Sequence, residues 1–164
     1  MKKNSVLTTI LVLGIAICGV LPGRKALSQT SQICASSSIP TGFVVTSIST
    51  NFIECGNSFN NLLIIQNASV ISPGSLLNVC PSSPTPTGFV VTNISTSFTQ
   101  CGTSSFRNNI RTIQRADGLP LNTLLNICSS SPVPTGFVVT NSSTSLTQCG
   151  GSSFDNIRTI QRVS

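Results

Sequence analysis

The chain has 164 residues, of which 7% are charged and none is histidine, tryptophan or tyrosine. Ordinary soluble domains carry roughly a quarter charged residues, so hydroxyl and amide groups must solvate most of this surface. The formal charge of +6 is largely local: Lys2, Lys3, Arg24 and Lys25 fall in the first 25 residues, and the remainder sets five arginines against Glu54, Asp117 and Asp155, a balance of +2. A nucleic-acid footprint needs clustered positive charge, so nucleic acid is excluded as a partner. Disorder driven by high charge and low hydrophobicity is disfavoured too, because 39% of the residues are hydrophobic.

The first element is an export signal. Lys2 and Lys3 precede an apolar run over 6–21, followed by Pro22-Gly23 and the small-residue pattern Ala26-Leu27-Ser28. That is the charged, apolar and cleavage-site order of a secretory signal peptide. At 16 residues the run is shorter than the roughly 20 needed to span a bilayer. Cleavage near Ser28 is expected, which defines 1–28 as the signal peptide and leaves no membrane span in the mature chain. Retention as an anchor is the alternative that Arg24 and Lys25 permit. Lipid attachment at Cys18 is disfavoured by the bulky Ile17 before it. The expected location is secreted, periplasmic or cell-surface, where an oxidising environment favours disulfides.

After the signal, one unit is written three times, at 33–67, 79–115 and 127–162. Each has as its second residue a cysteine (Cys34, Cys80, Cys128) six residues before a proline that opens Pro-Thr-Gly-Phe-Val-Val-Thr, at 40–46, 86–92 and 134–140. Each then reaches a Cys-Gly pair (Cys55, Cys101, Cys149) and a phenylalanine (Phe59, Phe106, Phe154). The connectors at 68–78 and 116–126 both end in Leu-Leu-Asn. Their Pro and Gly suit a turn, and their Leu-Leu-Asn-(Val/Ile)-Cys tails suit a short strand entering the next unit.

Six cysteines can pair in 15 ways, but spacing narrows the choice. Within each unit the two cysteines are 21 apart, whereas pairing across the connectors would strand Cys34 and Cys149 at opposite ends. The expected bonds are Cys34–Cys55, Cys80–Cys101 and Cys128–Cys149, each holding one self-contained unit. A unit near 36 residues is too small to rely on its core alone, and closing a loop of about 21 residues stabilises it by on the order of 3 kcal/mol. A metal site is disfavoured, since histidine and close Cys-x-x-Cys pairs are lacking.

The local pattern is β throughout. Pro-Thr-Gly is a turn signal, and Phe-Val-Val-Thr supplies the aromatic and β-branched residues of a pleated, half-buried surface. A second short strand is expected over Ser-Phe-Thr-Gln-Cys and a third over Ile-Arg-Thr-Ile-Gln, giving three or four strands per unit. Ser, Thr and Asn contribute 55 of the 136 residues over 29–164, a composition that penalises helix interiors. The expected fold class is all-β, as three tandem small disulfide-pinned β units. A lone hairpin is marginal, so neighbours are expected to pack on each other or share a sheet through the connectors.

The residues carry no recognisable catalytic pattern. General acid–base work calls for histidine or paired carboxylates, and the three acids recur at no equivalent position in other units. No nucleophile-elbow or Ser-x-x-Lys motif accompanies the serines, and no Gly-rich phosphate loop opens a helix. An enzyme is therefore not expected, and no cofactor is implied. Arg111 and Arg115 match Arg158 and Arg162, with Leu63 and Asn67 in their place in the first unit. These four arginines are the candidate ligand contacts, directed at an anionic partner; solvated edge charges that discourage aggregation are the simpler reading. Phe43, Phe89 and Phe137 are assigned to the core in preference to sugar stacking. The threonine rows are read as ordinary β surface.

The pattern Cys…Pro-Thr-Gly-Phe-Val-Val-Thr…Cys-Gly…Thr-Ile resembles short Cys-paired repeats in uncharacterised secreted bacterial proteins, cyanobacterial ones among them. The resemblance covers nearly all of 33–162 and implies export and tandem β modules, with no activity, ligand or catalytic residue attached. The functional expectation is a non-enzymatic secreted or surface interaction module whose partner is an extracellular glycan or protein. A secreted inhibitor or toxin-like effector presenting rigid loops is the alternative.

Overall fold

The computed structural model describes residues 29–102, 109–150, 154 and 156–164. Residues 1–28, where an export signal is expected, and the repeat position Phe106 lie outside the described residues. Among the described residues nine strands follow in chain order: β1 (Thr30–Cys34), β2 (Phe43–Ser49), β3 (Leu62–Asn67), β4 (Leu76–Val79), β5 (Phe89–Ser95), β6 (Ile110–Arg115), β7 (Leu124–Cys128), β8 (Phe137–Ser143) and β9 (Ile157–Arg162). They form three antiparallel three-stranded sheets with the same order, β1-β3-β2, β4-β6-β5 and β7-β9-β8. The fold is all-β and built from three tandem units.

Each unit is made the same way. The Pro-Thr-Gly segment is a tight turn in which the amide of Phe43 donates to the Pro40 carbonyl at 3.0 Å, as Phe89 does to Pro86 and Phe137 to Pro134. Gly42, Gly88 and Gly136 take φ of +83°, +81° and +84°, a left-handed conformation in which a Cβ would be strained. Their carbonyls accept the amides of Ala68, Ala116 and Val163, which ties the turn to the residue just past the central strand. In the strand that follows, the register shifts between Val45 and Ser47, and likewise in the other two units. The residue at this bulge is the threonine of the repeated string. Thr46, Thr92 and Thr140 donate their hydroxyls back to the carbonyls of Ile64, Thr112 and Thr159, which keeps the irregular step on the sheet.

The disulfides are Cys34–Cys55, Cys80–Cys101 and Cys128–Cys149, with Cα atoms 5.3, 5.4 and 5.3 Å apart. Every bond closes within its own unit.

One expectation needs correction. Ser97–Gln100 bends and is not a strand. Its backbone is satisfied by side chains instead: the Ser97 hydroxyl accepts from the Thr99 and Gln100 amides, and Asn109 accepts from the Ser97 amide and donates to its carbonyl. Ser145 and Asn156 repeat this arrangement in unit 3, and Asn51 and Asn61 provide its counterpart in unit 1. Polar side chains that bond locally compete with a sheet ladder, and here they win. The missing strand is supplied by Leu-Leu-Asn, so β4 crosses the boundary drawn at 79.

As expected, neighbouring units pack on one another. The hydrophobic clusters straddle the units: Phe43, Val45, Leu63 and Ile65 of unit 1 pack with Cys80, Cys101 and Ile110 of unit 2. Val79, Phe89, Val91 and Ile113 of unit 2 pack with Val44 and Ala68 on one side and Cys128 on the other. Val90 and Ala116 join Ile127, Phe137 and Ile160 of unit 3. The units are separate in covalent closure and joined in their cores, because a three-stranded sheet of this size cannot cover both of its faces.

Candidate interaction surface

The junctions set what remains exposed. At the first, the amide of Val45 on the outer edge of β2 donates to the Ser83 hydroxyl at 2.9 Å, and its carbonyl accepts the Cys80 amide at 2.8 Å. Beyond the bulge, Gln100 accepts from the Ile48 amide at 2.8 Å and donates its side-chain amide to the Thr46 carbonyl at 2.8 Å. The second junction repeats the anchor: the Val91 amide donates to the Ser131 hydroxyl at 2.8 Å.

The four arginines divide into two pairs. Arg115 reaches back across the first connector, where its Nη1 donates to the carbonyls of Ser69 and Ile71 at 3.0 and 2.5 Å. Arg162 likewise donates to the Leu119 carbonyl, and its Nε to the Ser164 carbonyl at 3.1 Å. Each satisfies connector carbonyls that the turning backbone leaves without strand partners. In unit 1, Asn67 takes that position and accepts the Ser69 amide at 3.0 Å. Arg111 and Arg158 are half-buried on the central strands β6 and β9, opposite Ile94 and Ser142. Two of the four guanidinium groups, those of Arg115 and Arg162, fasten connectors.

Phe43, Phe89 and Phe137 are buried. The exposed apolar residues lie elsewhere. Phe52, Phe98 and Leu146 occupy the same place in each unit, three residues before the second cysteine, and are 49%, 71% and 83% exposed. Ile53, Phe59 and Phe154 are exposed as well. The ring of Phe52 meets that of Phe59 edge-on, with centroids 5.4 Å apart. Their loop is held at several points: the Asn51 side-chain oxygen accepts the amides of Ile53 and Glu54, and the Asn61 side chain donates to the carbonyls of Asn51 and Gly56. The sequence pattern marks Phe59 and Phe154 only as repeat positions, places Phe98 in an expected strand and does not single out Phe52 or Leu146. The available signal was a large apolar residue recurring at one aligned position within a hydroxyl-rich segment.

A groove of about 590 Å³ opens between the Pro-Thr-Gly turns of units 1 and 2, and its lining includes prolines and threonines of both turns with Phe43, Phe89, Arg115 and Asp117. Its chemistry suits recognition by shape and a few polar contacts. Among the described residues, no group of three or more His, Cys, Asp or Glu side chains is placed to hold a metal ion, and no helix is long and apolar enough to cross a membrane. Compared with protein-family models, curated proteins and solved structures, the chain matches none.

Proposed function

We propose that this chain is a non-enzymatic secreted or surface interaction protein that presents apolar side chains on rigid, disulfide-closed loops to an extracellular glycan. The observation that carries this reading is the recurrence of Phe52, Phe98 and Leu146, exposed at one aligned position of successive units. Phe52, Ile53 and Phe59 are exposed on one loop with the two rings in contact, and contiguous exposed apolar surface marks an interaction site; aromatic rings also stack on the apolar faces of sugars. Repetition multiplies weak contacts through effective concentration. Export is supported by Lys2, Lys3 and the apolar run at 6–21, and by three disulfides that suit an oxidising compartment.

The test is a glycan array probed with the exported protein and with the Phe52→Ser, Phe98→Ser, Leu146→Ser triple variant. Binding that falls at least about tenfold in the variant, or roughly 1.4 kcal/mol, supports the proposal. Binding equal in both proteins removes the loops from it. A second reading, a protein-directed inhibitor, is favoured by the 96% exposure of Ile53 in the unit 1 loop. Stoichiometric inhibition in a protease panel, without glycan binding, would replace the first reading with the second.

A further inference from the structure

The two internal junctions leave one matching half-junction open at each end of the array. In units 1 and 2 the Val-Val pair of the edge strand is covered by the next unit, with Val44 and Val45 at 0% exposure and Val90 and Val91 at 0% and 4%. In unit 3 the equivalent Val138 and Val139 on β8 are 44% and 47% exposed. The complementary half is open on unit 1. Val79, Cys80 and Ser83 are buried against β2, and Ile127, Cys128 and Ser131 are buried at the second junction. Their counterparts Ile33 and Cys34 are only half-buried, and Ser37 is exposed. Ser37 already holds the docking conformation: its amide donates to the Cys34 carbonyl at 2.9 Å, as Ser83 does to Cys80 at 2.9 Å and Ser131 to Cys128 at 2.8 Å.

We infer that copies of this protein associate head to tail, with the Cys34–Ser37 turn of one copy seated on β8 of the next and the Ser37 hydroxyl taking the Val139 amide. The partner is a second copy because the surface it must present is the one this chain carries, and the chain makes that junction twice within itself. This goes beyond the glycan reading and uses none of the exposed loop residues that reading rests on. The interface is heterologous, so each addition regenerates an open end and gives chains or, where the rotation closes, a ring. Two positions make the junction between copies weaker than the internal ones. Glu54 stands where Gln100 donates its side-chain amide to the Thr46 carbonyl, and a carboxylate has no such proton. Ser142 stands where units 1 and 2 carry Ile48 and Ile94. The association is accordingly reversible and concentration-dependent.

Sedimentation equilibrium of the exported protein over a wide concentration range tests this. The wild type is expected to pass from monomer to dimer and longer species. Glu54→Gln, which restores the missing donor, lowers the dissociation constant by about tenfold. Val139→Lys and Ser37→Lys, both at exposed positions, are each expected to remain monomeric. Mixed together they form a one-to-one dimer and nothing larger, since each keeps the half that the other has lost. Wild type and Glu54→Gln that both stay monomeric at the highest concentrations overturn the inference. So do oligomers that survive both lysine variants, or a mixture that stays monomeric.

Discussion

The Ser83 hydroxyl accepts the amide of Val45 at 2.9 Å across the junction between units 1 and 2, joining residues 38 positions apart in a buried setting. Val45 lies on the outer edge of its sheet, so this amide has no strand to bond to. A serine four residues into the next unit supplies the acceptor, and the same pairing recurs between Ser131 and Val91.

Removing that acceptor strands a buried donor, which costs about 1–3 kcal/mol. Ser83→Ala and Ser131→Ala are therefore expected to lower stability by this amount in urea unfolding of the oxidised protein. Ser37→Ala, at the equivalent but exposed position, stays within about 0.5 kcal/mol. Equal effects at all three positions would contradict the junction as described.

The disulfides are also unequal in setting. All three close loops of the same 21-residue separation, so loop entropy assigns each about 3 kcal/mol. Cys80 and Cys101 additionally lie in the cluster shared by units 1 and 2, whereas Cys34 and Cys55 are half-buried. Replacing the Cys80–Cys101 pair by alanines is expected to cost at least about 1 kcal/mol more than replacing Cys34–Cys55, through the cavity left in the core. Denaturant midpoints of the two double variants measure the difference, and a larger loss at Cys34–Cys55 would refute it.

Arg115 and Arg111 should separate in the same way. Arg115→Gln gives up charge-assisted bonds to the carbonyls of Ser69 and Ile71 and is expected to cost about 1–2 kcal/mol, discounted for the partial exposure of the guanidinium. Arg111→Gln, on the strand surface, stays within about 0.5 kcal/mol. If an anionic ligand is bound, retention on an acidic polysaccharide column falls with Arg111→Gln and Arg158→Gln while stability does not. Thermal unfolding and retention measured on the same samples decide between the two roles.

One buried polar atom has no partner among the described residues: the side-chain oxygen of Asn93. Its counterpart in unit 1, Ser47, donates to the Gln100 carbonyl at 2.9 Å. Asn93→Ser removes a buried acceptor without a donor and places a hydroxyl where Gln148 holds the position of Gln100. A gain of about 1 kcal/mol is expected, read as a higher urea midpoint. A lower midpoint would show that the amide has a structural use.

Much of the fold was legible because its signals are local. The Pro-Thr-Gly turn, the Phe-Val-Val strand and the Ile-Arg-Thr-Ile-Gln strand are each specified by residues within a few positions of one another, and three aligned copies make the pattern plain. The segment ending in Cys101 was misjudged because its aromatic and β-branched residues favour a strand. What overrides them is Asn109, too far along the chain to be weighed from the segment alone. The candidate surface was only partly legible. Arg115 reads as a free cation until the Ser69 and Ile71 carbonyls are found beside it, and Phe98 falls within an expected strand where the chain instead bends and leaves the ring exposed.

By itself the sequence determined an all-β chain of three units, each with a 21-residue covalent loop, since composition, repetition and cysteine spacing are properties of the string. Only the tertiary structure decided that the cores lie between units and that Val138 and Val139 remain uncovered while identical Val-Val pairs elsewhere are buried. The physical reason is that burial belongs to neighbours in space: the same residues are core or surface according to whether another unit stands against them.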